Sequence, residues 1–396
     1  MKIIAGLLPM LMNMVIGVVL LITPLRLATA GAGAVAVAAT LVTWSLVYAL
    51  TIGALGRILN EQNAARLVMG SGILVALTAV GLIYFDGLYL QFFWIVLTGV
   101  GSGFFAGPVQ VFMKRLENNA ASGVARATAM YTFSWSCGFA SGPFAVMLLW
   151  GLWAPQDGWK YCYWLTALVG ILISLITFIL DHRSGKLAAQ PAAGSAEESS
   201  VDYSGQPDLV WLGWIVLLGG VISSTILRAN FPYKAAVMQW DTARTSWVMA
   251  LVFYTQGFTA LALWKSRYWM YRQKPILGAS LLGLAGLLLF AGGERLLPLC
   301  VAAVCYGIYS GTFYYYLVFH SLVHPSKSAG YVVVNEVLVG AVGVLAPLLG
   351  GLLASGGSRD WPFYLAAAVV LAASGILYGL MKQYLKAGKF ANARLK

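Results

Sequence analysis

The sequence predicts an all-α polytopic membrane protein, with twelve transmembrane helices arranged as two pseudo-symmetric six-helix bundles. Three observations lead there. Of 396 residues, 60% are hydrophobic and only 10% charged, whereas an ordinary soluble domain carries about 25% charge. The apolar residues gather into twelve runs, each near the ~20 residues a helix needs to cross a hydrocarbon core of about 30 Å. The runs also repeat, because proline, glycine and charged landmarks of the first half recur in the second. Such a composition excludes a soluble globular enzyme.

In chain order the runs span about 3–25, 32–55, 65–84, 88–113, 127–152 and 159–180, then 209–231, 246–264, 275–292, 296–322, 329–355 and 362–385. Lipid offers no partner to a bare backbone N–H or C=O, so each run reads as a helix. The first run imitates a secretory signal, with Lys2, an apolar stretch and small residues from Ala28 to Ala34. It is longer than the usual apolar core of about 7–15 residues and has a counterpart later in the chain. It is therefore read as a retained helix.

That counterpart comes from an internal repeat. At an offset of 208 residues, Pro24 and Arg26 match Pro232 and Lys234, Arg57 matches Lys265, and Asp86 matches Glu294. Gly99, Ser102 and Gly103 match Gly307, Ser310 and Gly311 in the same register. After a loop four residues shorter, Pro143 matches Pro347 at offset 204. The expected organisation is an N-terminal bundle at 1–181, a cytoplasmic linker at 182–208 and a C-terminal bundle at 209–396 with a short basic tail. The stretch from Gln190 to Ser200 is small and polar, too poor in apolar surface to fold alone.

The net charge is +12, but the basic residues lie in short segments between apolar runs and form no nucleic-acid-binding pattern. Lys2, Arg57, Arg66, Lys114, Arg115, Arg126, Arg183, Lys186, Lys265, Arg267, Arg272, Lys274, Lys327, Lys382, Lys386, Lys389, Arg394 and Lys396 fall on one side. The positive-inside bias then puts both termini in the cytoplasm, with the protein in the plasma (bacterial inner) membrane. Four cysteines, Cys137, Cys162, Cys300 and Cys305, lie in or beside apolar runs without metal-ligand spacing, so neither a disulfide framework nor a metal site is expected. No cofactor is expected, and no nucleotide-binding Gly-x-x-x-x-Gly-Lys motif occurs.

Twelve helices, cytoplasmic termini, two parallel repeats and a long central cytoplasmic loop together resemble the major facilitator superfamily. The loop after helix 2 keeps Gly53-Ala54-Leu55-Gly56-Arg57 of that family's Gly-x-Leu-Ala-Asp-Arg-x-Gly-Arg motif, without its acidic residue. Helix 4 has Ile95 where many proton-coupled members carry Arg. Helix 5 keeps Gly138, Gly142 and Pro143 of an element found in many exporters, and helix 11 has Gly343, Pro347, Gly350 and Gly351. The resemblance implies the fold of that family and a secondary active transporter that moves a small organic solute by alternating access, with protons as a candidate coupling ion. A drug or metabolite efflux antiporter is the alternative, and a non-transporting membrane scaffold or sensor is the alternative of another class. An enzyme is not expected, because no converging nucleophile, base or carboxylate pair occurs at membrane depth. The expected partners are the solute and the lipid bilayer, with the protein a monomer.

In helix 10, Tyr306, Tyr309, Phe313, Tyr316 and His320 follow a 3, 4, 3, 4 spacing, with Gly307 and Gly311 on the opposite face. The glycines would admit a neighbouring helix, and the tyrosine face is expected to line the central cavity. His320 and His324 are expected at an exposed helix end. Arg228 in helix 7 and Glu336 in helix 11 are the ionisable groups inside apolar runs that weigh most, since each costs about 2.5–3.5 kcal/mol at a helix centre. Arg228 is a cavity candidate or snorkels to the interface, and Glu336 is the proton-coupling candidate. Asn13 and Gln256 complete the cavity candidates; Gln110, Ser134 and Ser136 read as interhelical hydrogen-bonding groups.

Overall fold

A computed structural model describes residues 2–55, 58–60, 62–85, 87–116, 124–154, 156–187, 209–266, 269, 272–323 and 328–386. The helices are α1 (Lys2–Thr29), α2 (Ala34–Leu55), α3 (Ala64–Tyr84), α4 (Leu88–Leu116), α5 (Val124–Val146) and α6 (Gly158–Leu187), followed by α7 (Val210–Val237), α8 (Thr242–Lys265), α9 (Gln273–Gly292), α10 (Leu296–Val323), α11 (Ser328–Gly356) and α12 (Trp361–Lys386). All twelve hold spans long and apolar enough to cross a membrane. α5 continues as a π-helical segment, Met147–Trp153, where the apolar pattern predicts an unbroken α-helix. The linker expected at 182–208 lies mostly outside the described residues.

The two halves repeat each other's packing. α1 packs on α5 and α6, as α7 packs on α11 and α12; α3 packs on α4 and α6, as α9 packs on α10 and α12. Small residues allow the closest approaches: Gly138 and Gly142 of α5 lie on the backbone of Met10, Met14 and Gly17 in α1. The glycines that carry the exporter-like element thus serve the α1–α5 crossing, as small-x-x-x-small pairs do in lipid. Outward positions such as Leu77, Leu168, Leu281 and Leu371 are exposed and apolar, which suits contact with acyl chains.

Between the halves, α2 packs along α11 and α5 along α8. Gly340 meets Ala49 in the first pair, and Gly257 meets Ser136 and Cys137 in the second. These are equivalent crossings, because Gly257 is Ala49 shifted by 208 and Gly340 is Ser136 shifted by 204. Gly151 of the π-helical segment abuts Ala243 at the start of α8. At the other end of the same helices, Arg126 of α5 lies 5.8 Å from the Trp264 ring of α8 and the Tyr315 hydroxyl of α10 donates to the Ala125 carbonyl at 2.8 Å, so the halves touch at both ends of the α5–α8 crossing.

Candidate functional site

A cluster of side chains from both halves surrounds Arg228. Its guanidinium carbon lies 4.9 Å from the Phe139 ring centroid, so α7 of one half reaches α5 of the other. Phe139 contacts Trp135 edge-on at 5.8 Å and Phe253 of α8 at 5.5 Å. Trp135 in turn meets Tyr314 of α10 edge-on at 4.8 Å. The Tyr314 hydroxyl lies 3.4 Å from Ser224 Oγ, one turn before Arg228 on α7. Tyr254 of α8 and Ser141 of α5 bring their hydroxyl oxygens to 3.4 Å across the same interface.

Arg228 thus points into the interface and does not snorkel. The described salt bridges engage Lys160, Lys234, Arg244 and Arg359, and among the described residues no carboxylate pairs with Arg228. Its electrostatic neighbours are the Tyr314 and Tyr306 hydroxyls. A cation–π contact contributes about 0.5–2 kcal/mol, against an insertion cost of about 2.5–3.5 kcal/mol for an arginine at mid-helix. Among the described residues its surroundings offer ring faces and tyrosine hydroxyls but no countercharge.

A polar bridge lies next to this cluster. Gln256 Nε2 donates to Ser136 Oγ at 2.8 Å, and Ser310 Oγ donates to Gln256 Oε1 at 2.8 Å. The side chain expected to line a cavity instead ties α5 of the first half to α8 and α10 of the second. Asn13 donates to the Pro9 carbonyl at 2.7 Å, satisfying its own helix beside Gly138 of α5. Ser134 bonds the Gly6 carbonyl at 2.6 Å, and Gln110 is half-buried in α4.

The helix 10 stripe takes a different place from the one its spacing suggests. Tyr306, Tyr309, Phe313 and Tyr316 share a face and are buried, Tyr309 at 3% exposure. That face, however, turns into its own half: Phe313 lies on Gly220 of α7, and Tyr309 lies on Gly283 of α9. Tyr309, Phe313 and Tyr316 border a narrow crevice with Val216, Ala279 and Ser280, in place of an open central wall. Only Tyr306 reaches back towards Arg228, through a hydroxyl 2.8 Å from Ser223 Oγ. The opposite, glycine face does receive a neighbour, since Gly307 and Gly311 lie against Val252, Thr255 and Gln256 of α8.

His320 is also placed differently, buried at 3% exposure with its ring 4.2 Å from Tyr316. Trp269, in the α8–α9 connection, folds back over this end of α10 and stacks edge-on against Tyr315 and Phe319, each at 5.2 Å. An aromatic plug therefore covers the imidazole that an exposed helix end would leave in water. His324 and the side chain of Glu336 lie outside the described residues. Asn335, beside Glu336 in sequence, accepts from Trp214 Nε1 at 2.8 Å and donates to Ser321 Oγ at 2.7 Å.

The family model for the Major Facilitator Superfamily matches residues 3–334. No curated protein sequence matches the chain. Among solved structures, the nucleoside transporter NupG is similar at TM-score 0.67 and 14% identity, covering 97% of this chain and 99% of that one. A bacterial homolog of the human lysosomal transporter Spinster, in an inward-facing and occupied conformation, gives TM-score 0.66 at 14% identity, with 96% of each chain covered. The human organic anion transporter MFSD10 gives TM-score 0.62 at 12% identity, covering 95% of this chain and 98% of that one. At these identities the likeness is one of fold.

Proposed function

The chain belongs to the major facilitator superfamily, and we propose that it is a secondary active transporter that moves a small organic solute between the halves around Arg228. The observation that carries this reading is the asymmetric cluster on a symmetric scaffold. Helix pairs α2–α11 and α5–α8 are equivalent crossings, about which two bundles can rock around a midplane site. The groups between them break the repeat position by position: the counterpart of Arg228 is Leu20, that of Tyr314 is Ala106, and that of Trp135 is Val339. The proposed bundles are 1–181 and 209–396, with the termini cytoplasmic by the distribution of Lys and Arg. Glu336 is the proposed proton carrier if transport is proton-coupled.

The test uses the full chain in proteoliposomes, with spin labels at Trp153 and Gln239, which are exposed positions on opposite halves. Alternating access requires at least two inter-label distance populations, and trans-stimulated uptake of a radiolabelled organic solute. A single invariant distance, with no trans-stimulated uptake from a metabolite panel, would establish the scaffold reading instead.

A further inference from the structure

The groups around Arg228 select one chemical class of solute. A guanidinium presents parallel N–H donors that match the two oxygens of a carboxylate. Beside this cation lie aromatic and hydroxylic side chains: Phe139 of the first half, with Trp135 packed against it, and Tyr306 and Tyr314 of the second, hydrogen-bonded to Ser223 and Ser224. A cationic solute would meet Arg228 with like charge, and a purely aliphatic one would leave the ring faces without a flat partner. Ser224, whose hydroxyl meets that of Tyr314 at 3.4 Å, lies one helical turn before Arg228 on α7, which offers polar groups near the cation for a second polar group on the same ligand.

We propose that the solute is a planar aromatic carboxylate, its carboxylate held by Arg228 and its ring packed beside Trp135 and Tyr314. This rests on reading the cluster around Arg228 as the transport site. Arg228 supplies the charge, and Trp135 and Tyr314, one from each half, register whether a ring is present. The occupied site would then bridge the two bundles through a single ligand.

Purified protein in nanodiscs is titrated calorimetrically with benzoate and 1-naphthoate, and with benzamide, 1-naphthamide and benzylammonium. Each carboxylate is expected to bind at least tenfold more tightly than its amide, with 1-naphthoate ahead of benzoate and benzylammonium without binding. Arg228→Gln should remove the preference over the amide, while Arg228→Lys keeps part of it. Tyr314→Leu and Trp135→Leu should weaken 1-naphthoate more than benzoate. The wild-type comparison needs no variant to fold. Equal affinity for acid and amide, preference for benzylammonium, an unchanged preference in Arg228→Gln, or no saturable binding of either carboxylate would overturn the proposal. Counterflow in proteoliposomes separates the two readings. Selective carboxylate binding without counterflow sinks transport and keeps the receptor, whereas counterflow of benzamide or benzylammonium independent of Arg228 keeps transport and sinks the receptor.

Discussion

The Arg26 guanidinium lies over the indole of Trp159, its central carbon 3.7 Å from the ring centroid. The second half repeats the contact with weaker partners: Lys234, 208 positions on, lies 5.5 Å from the ring of Phe363, which is Trp159 shifted by 204. Both cations sit near the far end of the first helix of their half and bind the start of its last helix. In the second half the cation also closes a polar cluster. Lys234 is fully buried, donates to the Phe290 and Ala291 carbonyls at the end of α9, and pairs with Asp360 at 2.6 Å. One ammonium thus joins α7, α9 and α12 at a place where carbonyls of a helix end need partners.

Lys234→Met should therefore cost roughly 3 kcal/mol of stability, because it leaves a carboxylate and two carbonyls without their donor. Asp360 is 29% exposed, so water recovers part of the loss and the value belongs at the low end of the range for broken buried pairs. The Lys234→Met/Asp360→Asn double variant should cost less than the sum of the single changes. Unfolding midpoints in detergent would measure both, and additive effects would refute the coupling.

Gly283→Val should reduce folded yield, because the added methyls meet the Tyr309 ring. Overpacking of this kind costs about 1–3 kcal/mol. Tyr309→Ala combined with Gly283→Val should recover part of the loss. An unaffected single variant would show that the tyrosine is not wedged against α9.

The fold was legible in the sequence because lipid imposes one rule on every span, and the rule leaves twelve apolar runs in the composition. The repeat was legible because prolines and close-packing glycines cannot drift without breaking a kink or a crossing. The site was less so. Periodicity shows that Tyr309 and Phe313 share a face, but not which neighbour that face meets; the signal was the glycine pair Gly219-Gly220 in α7 with Gly283 in α9, which makes room for rings inside the bundle. The same relation holds in the first half, where Gly101 lies on Val75, the counterparts of Tyr309 and Gly283. Trp135, Phe139, Tyr254 and Tyr314 escaped notice because an aromatic residue in an apolar helix carries no mark of burial or exposure. What sets them apart is departure from the repeat, since their counterparts are Val339, Gly343, Leu46 and Ala106.

Glu336→Gln keeps the shape of the side chain and removes its titration. If transport is proton-coupled through this residue, the variant should lose accumulation driven by a pH gradient and retain solute exchange. Uptake assays with and without an imposed gradient make the comparison. Unchanged gradient-driven accumulation would eliminate Glu336 as the carrier.

The α5–α8 crossing offers a direct handle on the rocking motion. A Cβ placed at Gly257 lies 3.3 Å from the native Cys137 Sγ, within reach of a disulfide. Gly257→Cys should therefore cross-link to Cys137 when a membrane-permeant oxidant is added, joining the two halves next to the Gln256 bridge. The replacement also meets Ser136 and Phe133 at 3.3 and 3.5 Å, contacts that a shift of a few tenths of an ångström relieves, so the reduced variant should remain folded and active. If the halves separate here during transport, oxidation should block solute counterflow and reduction should restore it. The Cys137→Ser/Gly257→Cys variant controls for oxidation elsewhere and should transport throughout. Oxidised protein that carries the cross-link, verified by mass spectrometry, and still transports at the reduced rate would show that α5 and α8 move as one body. The pivot would then have to lie along this crossing, with opening confined to the α2–α11 side.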